Sequence, residues 1–266
     1  MAQSLRLANF FRPLGLIWFS IRLHWAAFKE AVRQHGLGDL WRIPQIRDAA
    51  LAKLFCTTSD GFIAFEDKTI VPSLVQVARG VVLELGPGPG NQIHRFDMSL
   101  VSQVYGVESN PRYKDGINAK LEKHSLGGRY NLIVSGIEDS QVLREEGITE
   151  GSLETVLCIQ VLCAVQDPKA VMKEVWKLLN PRGKFKFWEH GWSRSHLTIA
   201  DGADVANMKK AILNPAWSTF IGCHMTRNLM ADILNGGEWE NPEDIEEPED
   251  LVSCLPRIQG VLVKKA

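Results

Sequence analysis

Only five cysteines occur among the 266 residues, and no two of them stand in CxxC spacing. That excludes a disulfide framework or a zinc knuckle and fits reduced thiols in a cytosolic setting. The seven histidines are scattered without ligand spacing, so no metal site is expected. An excess of charge of one sign is also missing. Thirty basic residues face 31 acidic ones for a net charge of −1, which gives no reason to expect nucleic acid as a partner. Long hydrophobic runs are absent too. The best candidate, residues 14–28, is broken by Arg22 and His24 and falls short of the roughly 20 residues that span a bilayer. No cleavable leader, internal repeat or low-complexity linker is found. The remaining composition, 45% hydrophobic and 23% charged, is that of a globular chain able to bury a sizeable core.

The most informative stretch is residues 81–90, Val-Val-Leu-Glu-Leu-Gly-Pro-Gly-Pro-Gly. An apolar run of this kind reads as a strand buried on both faces, as in parallel sheets. The alternating glycines predict a tight turn whose backbone can approach a ligand closely. Pro87 and Pro89 stiffen that turn, which is expected to cradle its ligand with glycine amides.

Around this centre the chain alternates between strand and helix. Strands are expected at residues 81–85, 103–107, 130–134, 153–157 and 184–188. A helix is expected directly after Gly90, another running from Pro111 towards His124, and a third over 168–179. The last of these should end at the turn Asn180-Pro181-Arg182-Gly183. Such alternation means right-handed βαβ units and a parallel sheet. Residues 257–265 alternate as a last strand, expected to be antiparallel near the sheet edge. The expected fold is α/β, a Rossmann-like, mostly parallel seven-stranded sheet with one antiparallel strand and an N-terminal helical cap. The cap or lid covers residues 1–79 and the cofactor-binding domain 80–266, with 192–235 as a helical insertion forming the acceptor pocket.

Within the cap, residues 8–34 read as a helix with Pro13 in its first turn, and residues 46–56 and 70–79 as two more with a loop between them. Phe10, Leu14, Ile17, Ile21, Trp25 and Phe28 build one apolar stripe. Three readings of it are compatible: packing on the main domain, a lid over the site, or peripheral contact with a membrane surface, helped by eight basic residues against three acids in residues 1–54. Residues 238–250 carry the opposite bias, eight acids and no base.

Three cofactors compete for the glycine turn. A phosphate loop requires Lys-Ser or Lys-Thr after the last glycine, and here Asn91-Gln92 follows. A dinucleotide fold prefers GxGxxG, whereas the spacing here is GxGxG with Glu84 two residues before Gly86. A carboxylate there is awkward beside a pyrophosphate and suits an ammonium and a sulfonium. Glu108, 24 residues after Glu84, stands where an acceptor for two ribose hydroxyls belongs. Glu138 could accept from an adenine amino group beside Ile137 and Gly136. An ammonium, a diol and an adenine are the parts of S-adenosyl-L-methionine. Gly86, Gly88, Gly90, Glu84, Glu108, Ser109, Asn110, Gly136, Ile137, Glu138, Gln160 and Val161 are therefore the expected cofactor-binding residues.

These motifs carry a resemblance. Residues 80–190 resemble a class I S-adenosylmethionine-dependent methyltransferase of the ubiquinone-biosynthesis-like branch, with Glu84–Gly90 as its first motif and Val107–Asn110 as its second. Leu178–Lys184 is similar to the "LLKPGG" turn of that branch. Residues 81–263 resemble more narrowly the small-molecule methyltransferases that include animal membrane-associated thiol methyltransferases, through Val161–Val165, Phe187–His190, Asn214–Trp217 and Gly222–Arg227. The stretches 237–241 and 255–264 look closer to fungal members, many of them in secondary-metabolite pathways. Pro87 and Pro89 stand where the animal members tend to have Cys and Thr, and the N-terminal segment is more polar than their anchor.

The resemblance implies methyl transfer to a small lipophilic acceptor. The leading expectation is a phenol or enol hydroxyl of a secondary metabolite such as a polyketide, with a thiol as the alternative. A nicotinamide-dependent oxidoreductase and a cofactor-binding scaffold without methyl transfer stay open as other classes. His190, after the fifth strand, and His224 are the candidate bases. Trp18, Trp25, Trp188, Trp192, Trp217 and Arg227 are the candidate acceptor-pocket residues. Cys163 lies beside the expected methyl position, without a nucleophilic role, since methyl transfer from a sulfonium is direct. A cytoplasmic setting is expected, and the residues say nothing of oligomeric state.

Overall fold

The computed structural model describes residues 2–36, 42–190, 203–248 and 255–266. Among them a six-stranded sheet runs in the order β3-β2-β1-β4-β5-β6. Its strands are β1 Gly80–Leu85, β2 Val101–Val107, β3 Tyr130–Ile133, β4 Leu153–Ile159, β5 Leu179–His190 and β6 Arg257–Val263. β1 to β5 pair in parallel and β6 joins β5 antiparallel at the edge.

The expected seventh strand is not found among the described residues. Where it would lie outside β6, residues 238–246 meet the edge through two isolated bridges, Trp239 to Lys264 and Glu246 to Gln259. Between them Pro242 has no amide to donate and a 3₁₀ turn, Pro242–Asp244, lifts the backbone away. The segment covers the edge without becoming a strand.

Eight helices flank the described sheet: α1 Ala2–His35, α2 Ile43–Glu66, α3 Val71–Gln76, α4 Lys114–Lys123, α5 Ser140–Glu145, α6 Pro168–Leu178, α7 Ala203–Phe220 and α8 Leu229–Leu234. α1 begins earlier than its sequence pattern indicates, and Pro13 sits inside it. α2 runs without a break through residues 57–61, which had read as a loop. No helix follows Gly90; a single 3₁₀ turn, Ile93–Arg95, stands there. The side chains explain it, because Asn91 Oδ1 accepts from Ser59 Oγ at 2.6 Å and Gln92 Nε2 donates to Glu66 at 2.9 Å. Those long-range bonds override local helix preference. The residues 180–183, expected as a turn, are drawn into β5.

The two sheet faces bury different sets. Val82, Val104, Tyr130 and Leu157 pack with α3 and α4, while Leu83, Val156, Phe185 and Phe187 pack with α6, α7 and α8. α1 and α2 join the second set through Ile17, Leu51 and Leu54. Ser20 of α1, fully buried, donates its hydroxyl to the Phe220 carbonyl, and His24 meets the Phe220 ring edge-on at 5.3 Å. These contacts hold α1 against α7 over the carboxyl edge of the sheet. No helix among the described residues is long and apolar enough to cross a membrane.

One feature of the sheet positions the site. Glu84 on β1 lies opposite Gly106 on β2, and Tyr130 starts β3 opposite Val104. The Tyr130 hydroxyl crosses β2 above Gly106 and donates to Glu84 Oε2 at 2.7 Å. A Cβ on Gly106 would stand 2.2 Å from the Tyr130 hydroxyl oxygen. Gly106→Ala is expected to cost about 1–3 kcal/mol in urea unfolding. The pair Gly106→Ala with Tyr130→Phe should cost less than the sum of its singles. Strict additivity would show that the crossing is not the constraint.

Candidate active site

A cavity of about 1150 Å³ opens at the carboxyl ends of the strands, the position at which ligands bind in open α/β sheets. Its floor holds the glycine turn, Glu84, Glu108–Asn110, Gly136–Glu138, Gln160 and Val161. Its roof is built by Pro13, Leu16 and Phe19 of α1 and by Leu51, Phe55 and Phe62 of α2.

The turn works differently from the cradle its glycines suggested. Gly86 N–H donates to the Val107 carbonyl at 2.9 Å, Gly90 N–H to the Pro87 carbonyl at 2.8 Å, and Gly88 N–H to Glu108 Oε2 at 2.9 Å. All three amides are engaged within the protein. The Gly88 amide aims Glu108, and the other two bond backbone carbonyls. Gly88 has φ +52°, with only the Gly86 carbonyl oxygen, at 4.0 Å, near where a Cβ would stand, and a Cβ on Gly86 would press on Val161 at 2.9 Å. Gly90 faces Ile93 and does not line the cavity.

Glu108 takes a second backbone donor, Asn110 N–H, on Oε1 at 2.8 Å. Burial raises its pKa, and the amides of Asn110, Gly88 and Ser109 oppose that rise. With three amide donors on about four acceptor sites, a lone pair remains for a ribose hydroxyl. The Asn110 side chain is otherwise occupied: its Nδ2 donates to the Asp48 carbonyl of α2 at 2.9 Å, and its Oδ1 accepts from Arg112 N–H. Ser109 and Glu138 are exposed at the rim, and Ile137 is buried.

Glu84 is only 2% exposed, and no cation is among the groups that act on it. Burial pushes its pKa up to about 7, the Tyr130 hydrogen bond opposes the rise, and the charges of Glu66 and Glu108 add to it. Glu66 carries no signal in the sequence, where the helix reads as ending at residue 56, whereas it runs to Glu66. Glu66 is buried at 2.8 Å from Arg95 and also receives Gln92 and Gln160. Gln160 has φ +61°, a strained value for a non-glycine residue, and its Oε1 accepts from Arg257 at 2.9 Å. Glu189, fully buried, accepts Val161 N–H at 2.6 Å and Leu162 N–H at 3.0 Å, which sets the loop after β4.

The acceptor candidates separate. His190 is 4% exposed on the cavity wall, with Cys163, Cys223 and Trp217. His224 is half-buried beside that wall and does not line it; its amide donates to the Cys163 carbonyl at 2.8 Å. Trp18 and Trp25 are 65% and 60% exposed on the outer face of α1, so they do not wall the pocket. Trp188 is turned away, packed with Phe65 and under the Arg257 guanidinium at 4.0 Å. Arg227 donates to the carbonyls of Leu162, Val165 and Gln166, so it holds a loop and leaves no anion site. Trp192 lies outside the described residues.

The donor set fits S-adenosylmethionine. Carboxyl groups buried in one cavity floor favour a cation, and Glu108 is presented with a free lone pair at the end of the second strand. Residues 83–187 match the family described as methyltransferase domain. Fold, cavity and this match make the chain similar to class I S-adenosylmethionine-dependent methyltransferases, and S-adenosylmethionine is the cofactor they support.

The relatives narrow the comparison. Thiol S-methyltransferase TMT1B of Rattus norvegicus is 28% identical over 190 residues, covering 69% of this chain and 70% of that protein. Thiol S-methyltransferase TMT1A of Homo sapiens is 28% identical over 186 residues with the same coverage. An O-methyltransferase family protein from Burkholderia thailandensis shares the fold, with a TM-score of 0.56 and 14% identity over 95% of this chain and 72% of that one.

The pH dependence of Glu84 is testable. Its stabilising contribution, as a neutral group, is complete below about 4.5 and is lost as pH rises through about 7. Glu84→Gln should therefore melt higher than the parent above pH 7, while binding S-adenosylhomocysteine at least about tenfold more weakly. Parent affinity should rise with pH through about 7 as the carboxylate forms. An unchanged affinity in the variant would remove Glu84 from the site.

Proposed function

We propose that this protein transfers the methyl group of S-adenosylmethionine to the sulfur of a small lipophilic thiol. The observation that carries this is the likeness to thiol S-methyltransferases across about two thirds of both chains. It favours sulfur over the hydroxyl of a secondary metabolite. The apolar roof of Leu16, Phe19, Phe55 and Phe62 supports a lipophilic acceptor.

In this reading Glu84 pairs with the ammonium of the cofactor and Glu108 accepts from its ribose. Ile137 and Glu138 meet the adenine, and Gln160 and Val161 stand near the methyl group. Bound there, the cofactor supplies a methyl group already activated on a sulfonium. The chain's task is to hold the acceptor in line and keep water out, for which ordering the reactants supplies up to about 7–11 kcal/mol of the barrier. An acceptor thiol ionises near 8.5 and a phenol near 10, so sulfur asks less of a base at neutral pH. The acceptor sulfur belongs at the end of the cavity lined by Cys163, His190 and Cys223, where its proton leaves.

The test is incubation with methyl-labelled cofactor and separate panels of alkyl thiols, aryl thiols and phenols. Label should appear on thiols, and turnover confined to phenols would overturn the proposal. Glu108→Ala should raise the cofactor Kd at least about tenfold, because a hydrogen bond to a charged group is worth about 1.5–3 kcal/mol. Equal cofactor affinity would remove Glu108 from the ribose contact.

A further inference from the structure

Three soft donors that are far apart in sequence converge on one wall of the cavity. Cys163 Sγ, Cys223 Sγ and a ring nitrogen of His190 all lie within 4.8 Å of one another, and each side chain is buried. Cys163 is 1% exposed, His190 4% and Cys223 8%. His190 Nε2 is 3.6 Å from Cys223 Sγ. Donors held at about 2.0–2.3 Å from a tetrahedral zinc ion are themselves about 3.5–3.8 Å apart. The His190–Cys223 separation already matches, and Cys163 Sγ lies within 4.8 Å of both.

The Cys223 sulfur is oriented by a neighbouring donor. Trp217 Nε1–H donates to Cys223 Sγ at 3.0 Å, a bond that favours the thiolate and orients it. Two thiolates and a neutral imidazole sum to the charge that one divalent cation neutralises, which is how a buried wall can carry them. His190 Nδ1, also buried, has no hydrogen-bond partner among the described residues.

We propose that Cys163, His190 and Cys223 form a binding site for a thiophilic divalent cation such as Zn²⁺, with a fourth position open to the cavity. All three residues line that cavity, and Val161, whose side chain lies against Gly86, is two residues from Cys163. Three protein ligands with one open position is the arrangement of a catalytic zinc site. The consequence for the acceptor rests on the thiol reading above: a thiol entering the open position binds as thiolate, its proton passing to solvent, and is held beside the methyl donor. The cation site itself does not depend on that reading.

The experiment uses the full chain, reduced and stripped with a chelator, titrated with Co²⁺ alone. One equivalent should bind, with an intense near-ultraviolet sulfur-to-cobalt band that Zn²⁺ abolishes. Cys163→Ser and Cys223→Ser should each remove about half of that band and weaken binding more than about tenfold. His190→Ala should weaken binding and leave the sulfur band. Retained S-adenosylhomocysteine binding shows that each variant is folded. Absence of the band in the parent, or its persistence in the Cys163→Ser and Cys223→Ser double variant, overturns the proposal. No acceptor is present, so failure of thiol methylation leaves the cobalt result standing, and failure of cobalt binding leaves the thiol reading standing.

Discussion

A carboxyl group buried at the end of β1 without a cation beside it costs free energy, and much of this structure contains that cost around Glu84. Tyr130 reaches over Gly106 to donate to it, and burial with two further acids keeps it half-protonated near neutral pH. A ligand that brings a positive charge relieves the burden, so part of the binding energy of the cofactor is stored in the ligand-free protein as destabilisation. Glu108 sits in the same cavity, where burial raises its pKa too and backbone amides oppose the rise. Its backbone donors hold it in one orientation, aimed by the Gly88 amide.

Around these acids the helices act as positioning elements. α2 brings Glu66 to Arg95, Gln92 and Gln160, and Gln160 is tied in turn to Arg257 on the edge strand. One chain of polar contacts thus joins the cap, the turn after β1, the loop after β4 and β6. Glu189 sets the same β4 loop from the opposite side through the amides of Val161 and Leu162. The floor of the cavity is rigid because several elements specify it. The roof residues that α1 and α2 contribute, Leu16, Phe19, Leu51, Phe55 and Phe62, are apolar.

Features of the site carried by one short stretch were legible in the sequence. The apolar run before Gly86, the acid at Glu84 and the acid at Glu108 lie in consecutive strand-to-turn units, so local pattern places them on one edge. Features that depend on side chains meeting across the fold were not. The helix expected after Gly90 is replaced by a short turn, because Asn91 and Gln92 bond to α2. The stripe on α1 was read as one face, yet the helix is apolar on two. Ile17 and Phe19 turn inward and Trp18 and Trp25 outward, a choice that periodicity cannot make when both sides carry large apolar residues.

The sequence by itself determined the parallel sheet, the ligand-bearing edge and the cofactor class, because each follows from residues within a few positions of one another. The tertiary structure alone decided that Gly106 is empty so that Tyr130 can reach Glu84. It also decided that Arg227 holds a loop, and that Cys163, His190 and Cys223 share one wall. Those facts rest on distances between residues tens of positions apart, which no local spacing encodes. The glycine turn shows the division most clearly. Its spacing announced a ligand site, and only the fold revealed that its amides serve the protein and that Glu108 is what it presents.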